Sequence, residues 1–511
     1  MAAPHEKLAT SLSVLHRLQA TGRRVFKSEE FTRVHRERLL RHGFLKDVVK
    51  GWLISSSPAT TPGDSTPWFA SFWEFCARYC NERFADDWHL SPEQSLLLHA
   101  ENTVIPSQVI VYTTKGTNNT VELPFGTSLY DLKQSQTPPP TDVVVRDGLR
   151  LYAPAPALVR VPEVFFSRSP IEAQVILASL RDASDVLRRL LEGGNSVVAG
   201  RLAGAFRRVG RADLADEIVS TMKAADYAVR ETDPFAPEYV FAQLTRTAAP
   251  IVGRIQGMWE SMRGAILEIF PKPSGLPTDR DEYLRRVDEI YKSDAYHSLS
   301  IEGYRVTPEL IERVRSGAWN PDHDGGDLQS RDALAARGYW QAFQLVRGAV
   351  AEILTGTNPG TLTRTAHRDW YRELFQPCVA AGLITASALA GYRNDFVFLR
   401  SSRYVPPRWE VVRDAMPALF DLLEAESSPA VRAVLGHWLF GYIHPYMDGN
   451  GRMARFLMNA MLASGGYPWT VVRVEDRTAY LKALDAASID LDIRPFASLL
   501  TECVERGPMV E

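Results

Sequence analysis

The sequence predicts a mostly α-helical protein whose strands belong to smaller N-terminal domains. Through the C-terminal half, apolar residues recur at the spacing of amphipathic helices, and the loops between them are short. In the N-terminal half, β-branched runs at Val104–Thr114 and Asp142–Tyr152 are typical of strands. Four segments rich in proline, glycine, serine or threonine separate these parts, at residues 55–67, 134–141, 231–237 and 271–277. We therefore expect three domains, at residues 1–55, 68–245 and 275–508.

The composition is that of an ordinary globular protein. Of its 511 residues, 45% are hydrophobic and 23% are charged, which excludes a disordered or fibrous chain. Four cysteines are too few for a disulfide scaffold, and we expect Cys76 and Cys80 to be buried thiols. A secretory signal and a run of 18 apolar residues are both missing from the sequence. These observations favour a cytoplasmic protein without membrane contact.

Residues 1–55 are expected to form a small winged-helix-like domain. A first helix is indicated by apolar spacing, and Ser28 could cap a second helix that runs to about Arg41. A short helix at Phe44–Val49 and a strand at Trp52–Ile54 would follow. The leucines of the first helix lie four, three and three residues apart, at Leu8, Leu12, Leu15 and Leu18.

This first block carries an excess of positive charge. It contains 11 Lys and Arg residues against 5 acidic residues, a net charge of +6, whereas the whole chain has a formal charge of −3. The second helix could lie on DNA phosphates, or its arginines could form a solvated face of a protein-interaction module. Its basic residues are Arg33, Arg36, Arg38 and Arg41.

Residues 68–245 are expected to be a mixed α+β domain in which helices follow the two strands. The helical segments are Pro170–Leu191, Ser196–Val209 and Ala212–Ala224, with glycines between them. The order of parts in residues 1–245 loosely resembles AbiEi-type antitoxins and regulators. The likeness lies in the LHRLQATGRRVFKSEEF opening, the following Gly-Phe-Leu and Lys-Gly-Trp-Leu segments, and the later strands and helices. This resemblance implies DNA contact by the winged helix.

From about residue 275 onward, the pattern predicts a helical bundle with one small β-hairpin. The hairpin would pair Asp395–Leu399 with Arg403–Val405 across a turn at residues 400–402. The expected helices are Asp279–Ser298, Pro308–Ser316, Ser330–Leu354, Thr361–Ala381, Glu410–Glu424 and Ala430–Ile443.

The most informative stretch is HPYMDGNGRMAR, at residues 444–455. It joins an apolar helix to a new helix that should begin near Arg452 and run to Ser464. Glycines in the connecting loop allow successive N–H groups to turn inward at a helix N-terminus, which favours an anion. Asp448 would suit that site if Mg²⁺ bridged it to a phosphate, while Arg452 and Arg455 could hold phosphate oxygens. The stretch therefore predicts a nucleotide–metal site.

His444 lies beside this predicted phosphate site. An imidazole titrates near neutral pH and can accept the proton of an attacking hydroxyl. Beside an activated phosphate, this is the arrangement for phosphoryl or nucleotidyl transfer. His444 is therefore the candidate general base.

At every defined position, HPYMDGNGRMAR is similar to the motif of the Fic family, with Tyr446 at a position where Phe is commoner. The resemblance covers roughly residues 280–505 and implies an α-helical AMP-transferase that uses ATP and Mg²⁺. It implies that His444 deprotonates a Ser, Thr or Tyr hydroxyl of a target protein, that Asp448 holds the metal, and that the hairpin aligns the target. The implied phosphate-binding residues are Gly449, Asn450, Gly451, Arg452 and Arg455.

A second motif precedes the first. The segment SLSIEG, at residues 298–303, resembles the Fic inhibitory pattern at the end of a helix spanning about residues 280–303. A Glu at a helix end can pair with an Arg through two parallel hydrogen bonds. The resemblance implies that Glu302 pairs with Arg455 and thereby blocks productive ATP binding. Autoinhibition within one chain is the resulting hypothesis.

Two further residues are weaker candidates for the ATP pocket. Tyr480 lies in a helix whose counterpart in the Fic family lines the nucleotide, and it could stack on adenine or be a core residue. Ser488 lies about two helical turns later and could reach the pocket or be solvated.

The sequence leaves several functions open. The leading hypothesis is an autoinhibited protein adenylyltransferase, for which self-modification is possible. The alternatives are a DNA-binding, toxin–antitoxin-like regulator that uses its Fic half to sense nucleotide, an enzyme that removes AMP, and a transferase with another nucleotide donor. A homo-oligomer also stays open.

Overall fold

The chain forms two compact units. The structure, a computed structural model, describes residues 4–61, 63–237, 239–241, 249–318 and 331–507. The N-terminal unit comprises residues 1–239, 244–250 and 398–405, and the C-terminal unit comprises residues 240–243, 251–397 and 406–511. The domain ends expected at 245 and 508, and the helix start expected at Ser330, lie outside the described residues. The division into three domains stays a prediction.

The first block contains two helices and a small antiparallel sheet in the strand order β1-β3-β2. Side chains alternate between the two faces of this sheet. Phe26 and Leu53 pack on the helices of the block, while Val25, Trp52 and Ile54 pack on the next part of the unit. The elements are α1 (Pro4–Gln19), β1 (Val25–Lys27), α2 (Arg33–Arg41), β2 (Leu45–Asp47) and β3 (Trp52–Ser55).

Two expectations for this block were wrong. Ser28 does not cap α2: it begins a separate 3₁₀ turn at Ser28–Glu30, and the Thr32 hydroxyl accepts the capping hydrogen bond from the His35 N–H. The expected helix at Phe44–Val49 is instead β2, because the backbone of residues 45–47 pairs with β3. Leu45 is buried in the same core as Leu53, which favours this pairing.

The basic helix α2 is partly engaged within its own block. Arg33 pairs with Glu37 at 2.7 Å, and Arg38 donates to the Lys7 carbonyl and the Ser11 hydroxyl. These contacts leave DNA binding untested, and it stays a prediction.

The rest of the N-terminal unit is mixed α+β, as expected. Its sheets have the orders β4-β5-β7-β6 and β8-β9. The helix expected at Pro170–Leu191 is broken between residues 179 and 184, where Leu180 is extended and Asp182 accepts from the Ser184 N–H. The elements are α3 (Thr66–Phe84), β4 (His89–Leu90), α4 (Pro92–His99), β5 (Gln108–Thr113), β6 (Thr120–Leu123), β7 (Thr127–Lys133), β8 (Val143–Arg146), β9 (Leu149–Tyr152), α5 (Pro154–Arg160), α6 (Val164–Arg168), α7 (Pro170–Ser179), α8 (Ser184–Gly193), α9 (Ser196–Arg208) and α10 (Ala212–Ala224).

An aromatic core holds this unit together. Trp68, Phe72 and Phe75 of α3 pack edge-to-face among themselves. Cys76 and Cys80 are free thiols within the same core, as expected. Burial raises the pKa of the Cys76 thiol, so this group stays protonated.

The C-terminal unit is helical, and the expected helices are found within a few residues at each end, whereas the helices at Pro250–Ile269 and Arg494–Arg506 were not expected. Each carries a buried apolar stripe, and several begin at a Pro after a capping Ser, Thr or Asn. The elements are α11 (Pro250–Ile269), α12 (Arg280–Ile301), α13 (Pro308–Arg315), α14 (Arg331–Ile353), α15 (Pro359–Ala380), α16 (Val412–Ala425), α17 (Pro429–Ile443), α18 (Asn450–Ala463), α19 (Arg477–Ile489) and α20 (Arg494–Arg506).

The hairpin expected at residues 395–405 was wrong. This segment contains no strand, and its one β-bridge joins Tyr404 to Val104. The backbone of Ile105 donates to the Arg403 carbonyl at 2.9 Å, and the Arg403 guanidinium donates back to the Ile105 carbonyl. Residues 103–105 therefore take the hydrogen-bonding groups that a hairpin would have used.

Among the described helices, none combines the length and the apolar character that crossing a lipid bilayer requires.

Candidate active site

The candidate site is built on the loop between α17 and α18. His444 ends α17 in the left-handed conformation with φ 51°, and Gly449 precedes α18 with φ 84°. A Cβ atom at Gly449 would lie 2.7 Å from Phe375 Cε2, so both the backbone conformation and the close approach require glycine. The helix begins at Asn450, two residues before the expected Arg452.

Asn450 holds the loop in shape. Its side chain accepts from the Tyr446 N–H at 2.9 Å and donates to the Tyr446 carbonyl at 2.8 Å. It is buried, so its side chain supports the loop, and an anion could be bound through backbone N–H groups at the start of α18.

His444 is oriented as a neutral base. Its Nδ1 bonds the Gly441 carbonyl at 3.2 Å, which places the proton on Nδ1 and leaves Nε2 as the acceptor. Burial lowers the pKa of His444 to about 4. The imidazole is therefore unprotonated at neutral pH.

Asp448 is the acidic group of the loop. Its carboxylate accepts from the Gly449 N–H at 2.6 Å and lies 3.5 Å from the Arg452 guanidinium. The side chain is 58% exposed, so one carboxylate oxygen remains accessible beside the helix N-terminus.

Arg452 is a buried cation with spare donors. Its guanidinium lies 5.1 Å from the ring centres of both Tyr304 and Phe375. Its Nε and Nη2 have no hydrogen-bond partner among the described residues, and Nη2 is the nitrogen that lies 3.5 Å from Asp448, within ion-pair distance. Buried guanidinium donors without partners indicate an anion that completes the site.

Arg455 and Glu302 are brought together, as expected. An Arg455 terminal nitrogen lies 2.6 Å from Glu302 Oε1, while its Nε donates to the Ser298 hydroxyl at 2.9 Å. The contact uses one carboxylate oxygen, so the expected two-bond pairing was wrong. The Ser298 hydroxyl accepts the hydrogen bond from Nε that a second carboxylate oxygen would have accepted. The other terminal nitrogen of Arg455 has no hydrogen-bond partner among the described residues.

Glu302 reaches into the loop beyond Arg455. A Cβ atom at Gly451 would overlap Glu302 Oε1, so the carboxylate lies directly against the first turn of α18. Burial by itself would raise the pKa of Glu302, but Arg455 and Arg452 hold that pKa below its ordinary value. An ionised carboxylate therefore lies where the sequence predicts a phosphate.

Tyr480 and Ser488 both have partners inside the protein. The Tyr480 hydroxyl bonds His437 Nε2 at 2.7 Å, and both side chains are buried. The Ser488 hydroxyl accepts from the Trp438 indole at 3.0 Å and donates to the Leu484 carbonyl. Contact with a nucleotide stays a prediction for each residue.

Three residues outside the two motifs support the site, and the sequence assigned none of them this supporting role. Arg393 donates to the His444 carbonyl at 2.8 Å, and its backbone N–H donates to the Pro445 carbonyl. Arg477 donates to the Ile301 carbonyl at the end of α12, beside Glu302. Tyr304 covers Arg452. Each lies more than 20 residues away from the motif it supports, and no spacing signal connects them.

These residues fit the groups that the sequence predicts. The partnerless donors of Arg452 and Arg455 suit phosphate oxygens. Mg²⁺ in nucleotide sites is held by one or two carboxylates together with phosphates and water. Asp448 supplies one such carboxylate, and no cluster of three or more potential metal-ligating side chains occurs in the part of the chain that the structure describes. The donor set fits a metal that arrives with a phosphate ligand.

Comparisons with known proteins point to one family. Residues 361–462, which include the loop, match the Fic/DOC family. Protein adenylyltransferase Fic from Nematostella vectensis is 41% identical over 258 residues, covering 50% of this chain and 56% of that protein. The protein of the same name from Drosophila willistoni is 36% identical over 228 residues, covering 44% of this chain and 42% of that one.

The chain thus spans about half the length of the curated relatives it matches. Among solved structures, a fragment of Fic-1 from C. elegans covers 66% of this chain and 96% of its own, with a TM-score of 0.38 and 18% identity.

Proposed function

We propose, from the premise that residues 361–462 carry a Fic domain, that this chain is an autoinhibited protein adenylyltransferase. It would move AMP from ATP to a Ser, Thr or Tyr hydroxyl of a target protein. The observation that carries the proposal is a neutral His444 at the start of a loop that leads into two buried arginines of α18, both of which have donors without a hydrogen-bond partner among the described residues. Two relatives named protein adenylyltransferases, alike over half of this chain, support it.

In the proposed reaction, the target hydroxyl loses its proton to His444 Nε2 as its oxygen attacks the α-phosphorus of ATP. The bond to the β-phosphate oxygen breaks, and pyrophosphate leaves. Backbone N–H groups at Gly449, Asn450 and Gly451 and the side chains of Arg452 and Arg455 would bind the phosphates. Asp448 would hold Mg²⁺, which would neutralise phosphate charge.

Glu302 would restrain this reaction. Its carboxylate occupies a donor of Arg455 and the space above Gly451, both of which the triphosphate needs. A charged hydrogen bond of this kind contributes roughly 1.5–3 kcal/mol, which corresponds to about tenfold or more in occupancy. A partner or a change of assembly could release such a restraint.

The test compares the parent chain with three variants of the full chain, each incubated with labelled ATP and Mg²⁺. We expect Glu302→Gly to raise AMP incorporation about tenfold or more over the parent, into itself or an added target. Adding His444→Ala to that variant should abolish incorporation, because the base is lost. As a matched control, Glu289→Gln, in the same helix, should leave incorporation at the parent level.

Mass spectrometry of the labelled protein then identifies the donor. An added AMP supports the proposal, whereas another nucleotide group would assign a different donor. If the parent chain, with Glu302 in place to position a water, releases AMP from a modified target and Glu302→Gly does not, the chain removes AMP. No nucleotide transfer by Glu302→Gly to itself or to any target would overturn the proposal that the chain is a nucleotide transferase.

A further inference from the structure

A cavity of about 630 Å³ lies beside the candidate active site, within the C-terminal unit. Its walls are α15, the segment of residues 387–394, the first part of α16 and the motif loop at Tyr446 and Met447. Four arginines line it, and none of the described lining residues is acidic. These arginines are Arg368, Arg372, Arg393 and Arg413.

Two of these arginines, Arg368 and Arg413, are not neutralised by a carboxylate. Arg372 pairs with Asp369 at 2.5 Å. Arg368 lies 5.5 Å from the ring centre of Tyr392, and Arg413 lies 5.5 Å from that of Trp409. Neither has a carboxylate within ion-pair distance among the described residues. The aromatic rings position these cations while leaving their charge unmatched.

Tyr446 adds an unusual hydroxyl to the cavity lining. Its ring is buried and stacks on Tyr371 with 3.7 Å between ring centres. Its hydroxyl oxygen is also buried and has no hydrogen-bond partner among the described residues. A buried hydroxyl without a partner is costly, so packing alone does not explain Tyr rather than Phe at this position.

The cavity is fixed to the catalytic loop. Arg393 belongs to its wall and bonds the carbonyls of both His444 and Pro445. Tyr446 is two residues from the proposed base. The cavity wall is therefore joined directly to the loop that carries His444.

We propose that this cavity is a target-recognition subsite that binds an acidic side chain of the target polypeptide near its acceptor hydroxyl. The inference rests on the proposed function. Unmatched guanidinium groups select a carboxylate, and the cavity volume falls in the range that holds a ligand much larger than one carboxylate. The acceptor segment of the target is thus expected to be acidic.

The test measures binding without catalysis, using the full chain without nucleotide. The probes are two fluorescein-labelled heptapeptides, Ala-Glu-Glu-Ser-Glu-Glu-Ala and the same peptide with Gln at each Glu. Glu302 stays in place, so that it covers the arginine site of the motif loop. We expect fluorescence anisotropy to give a Kd about tenfold lower for the acidic peptide.

Variants locate the binding. In Arg368→Ala/Arg413→Ala, the preference for the acidic peptide should fall to about threefold or less. The matched control is Arg285→Ala/Arg286→Ala, two exposed arginines of α12, in which the preference should persist. Tyr446→Phe should weaken acidic-peptide binding and leave thermal stability equal or higher, because it removes a partnerless hydroxyl.

Three outcomes overturn the proposal. One is equal affinity for both peptides, and another is an equal loss of preference in the control pair. The third is saturable binding of inorganic phosphate that is lost in Arg368→Ala/Arg413→Ala while the two peptides bind equally, which would make this a small-anion site. AMP transfer by Glu302→Gly is measured separately, so a failed subsite and a failed enzyme give different results.

Discussion

At the residue scale, His444 combines a strained backbone with a desolvated ring. A left-handed conformation costs a residue with a Cβ atom roughly 1–2 kcal/mol, and it is retained here where α17 ends. The same turn directs Nδ1 to the Gly441 carbonyl, and burial disfavours the imidazolium form. Local geometry therefore prepares one ring nitrogen as an acceptor.

The pH dependence of transfer follows from this state of His444. A base must be unprotonated to accept a proton, and burial lowers the pKa of His444 to about 4. In the Glu302→Gly background, kcat/KM for AMP transfer should therefore stay level between about pH 5.5 and 8 and fall only nearer pH 4. Removing Glu302 lowers the pKa of His444 further, because the negative charge of Glu302 raises that pKa in the parent chain.

The measurement is a pH–rate profile, with circular dichroism at each pH to verify that the chain is folded. A half-maximal rate near pH 6.5, the ordinary value for histidine, would contradict the desolvated base.

At the element scale, the helices of the C-terminal unit could be predicted because each carries its signals in its own sequence. Pro359–Ala380 and Pro429–Ile443 were expected at 361–381 and 430–443 from apolar spacing and nearby helix-ending residues. The segment at residues 395–405 could not be predicted this way, because its pairing partners lie about 300 residues earlier in the chain.

The candidate site likewise has one part that could be predicted from the local sequence and another part that could not. Its loop, its arginines and His444 lie within twelve residues and could be recognised together, and Glu302 was recognised by a motif of its own. Arg393 bonds the His444 carbonyl and Tyr304 covers Arg452, but both residues lie far from the loop in sequence. No local sequence pattern predicts these contacts. Glu302 bonds Arg455 through one oxygen because Ser298 accepts from the same guanidinium. That competition depends on how the helices pack, so the sequence pattern could not predict it.

Glycine substitutions test how the loop is joined to α18. Gly449→Ala forces a Cβ atom against Phe375 and places alanine at φ 84°, so we expect a loss of roughly 2–5 kcal/mol and more than tenfold less AMP transfer in the Glu302→Gly background. Gly348→Ala lies within helix α14 with no atom within 4 Å of the new Cβ, and it should stabilise the chain by roughly 0.5–1 kcal/mol.

Urea unfolding and AMP incorporation measure both effects. Equal stability for the two variants would mean that the left-handed turn before α18 is not required.

At the scale of the whole molecule, the two units are not consecutive pieces of chain. Residues 398–405 are flanked by the C-terminal unit on both sides, yet they belong to the N-terminal unit. There Arg24 lies 4.6 Å from the ring centre of Phe398, and Thr103 and Ile105 bond the backbone of Val405 and Arg403. A fragment that ends where the C-terminal unit begins therefore lacks residues 398–405 of the N-terminal unit.

Such a fragment should be less stable around residues 103–113. In a fragment of residues 1–250, the Ile105 amide loses the Arg403 carbonyl that accepts its hydrogen bond in the full chain. We expect hydrogen–deuterium exchange at residues 103–113 to be at least about tenfold faster in the fragment, because local opening there becomes easier. Helix α9, at Ser196–Arg208, has no hydrogen bond to residues 398–405 in the described part of the chain, so its exchange serves as the internal reference.

In the full chain, Arg403→Ala should give an intermediate exchange rate at residues 103–105, since it removes the two guanidinium hydrogen bonds to Ile105 and keeps the backbone one. Equal protection of Ile105 in the fragment and the full chain would show that residues 398–405 add nothing to the stability of the N-terminal unit.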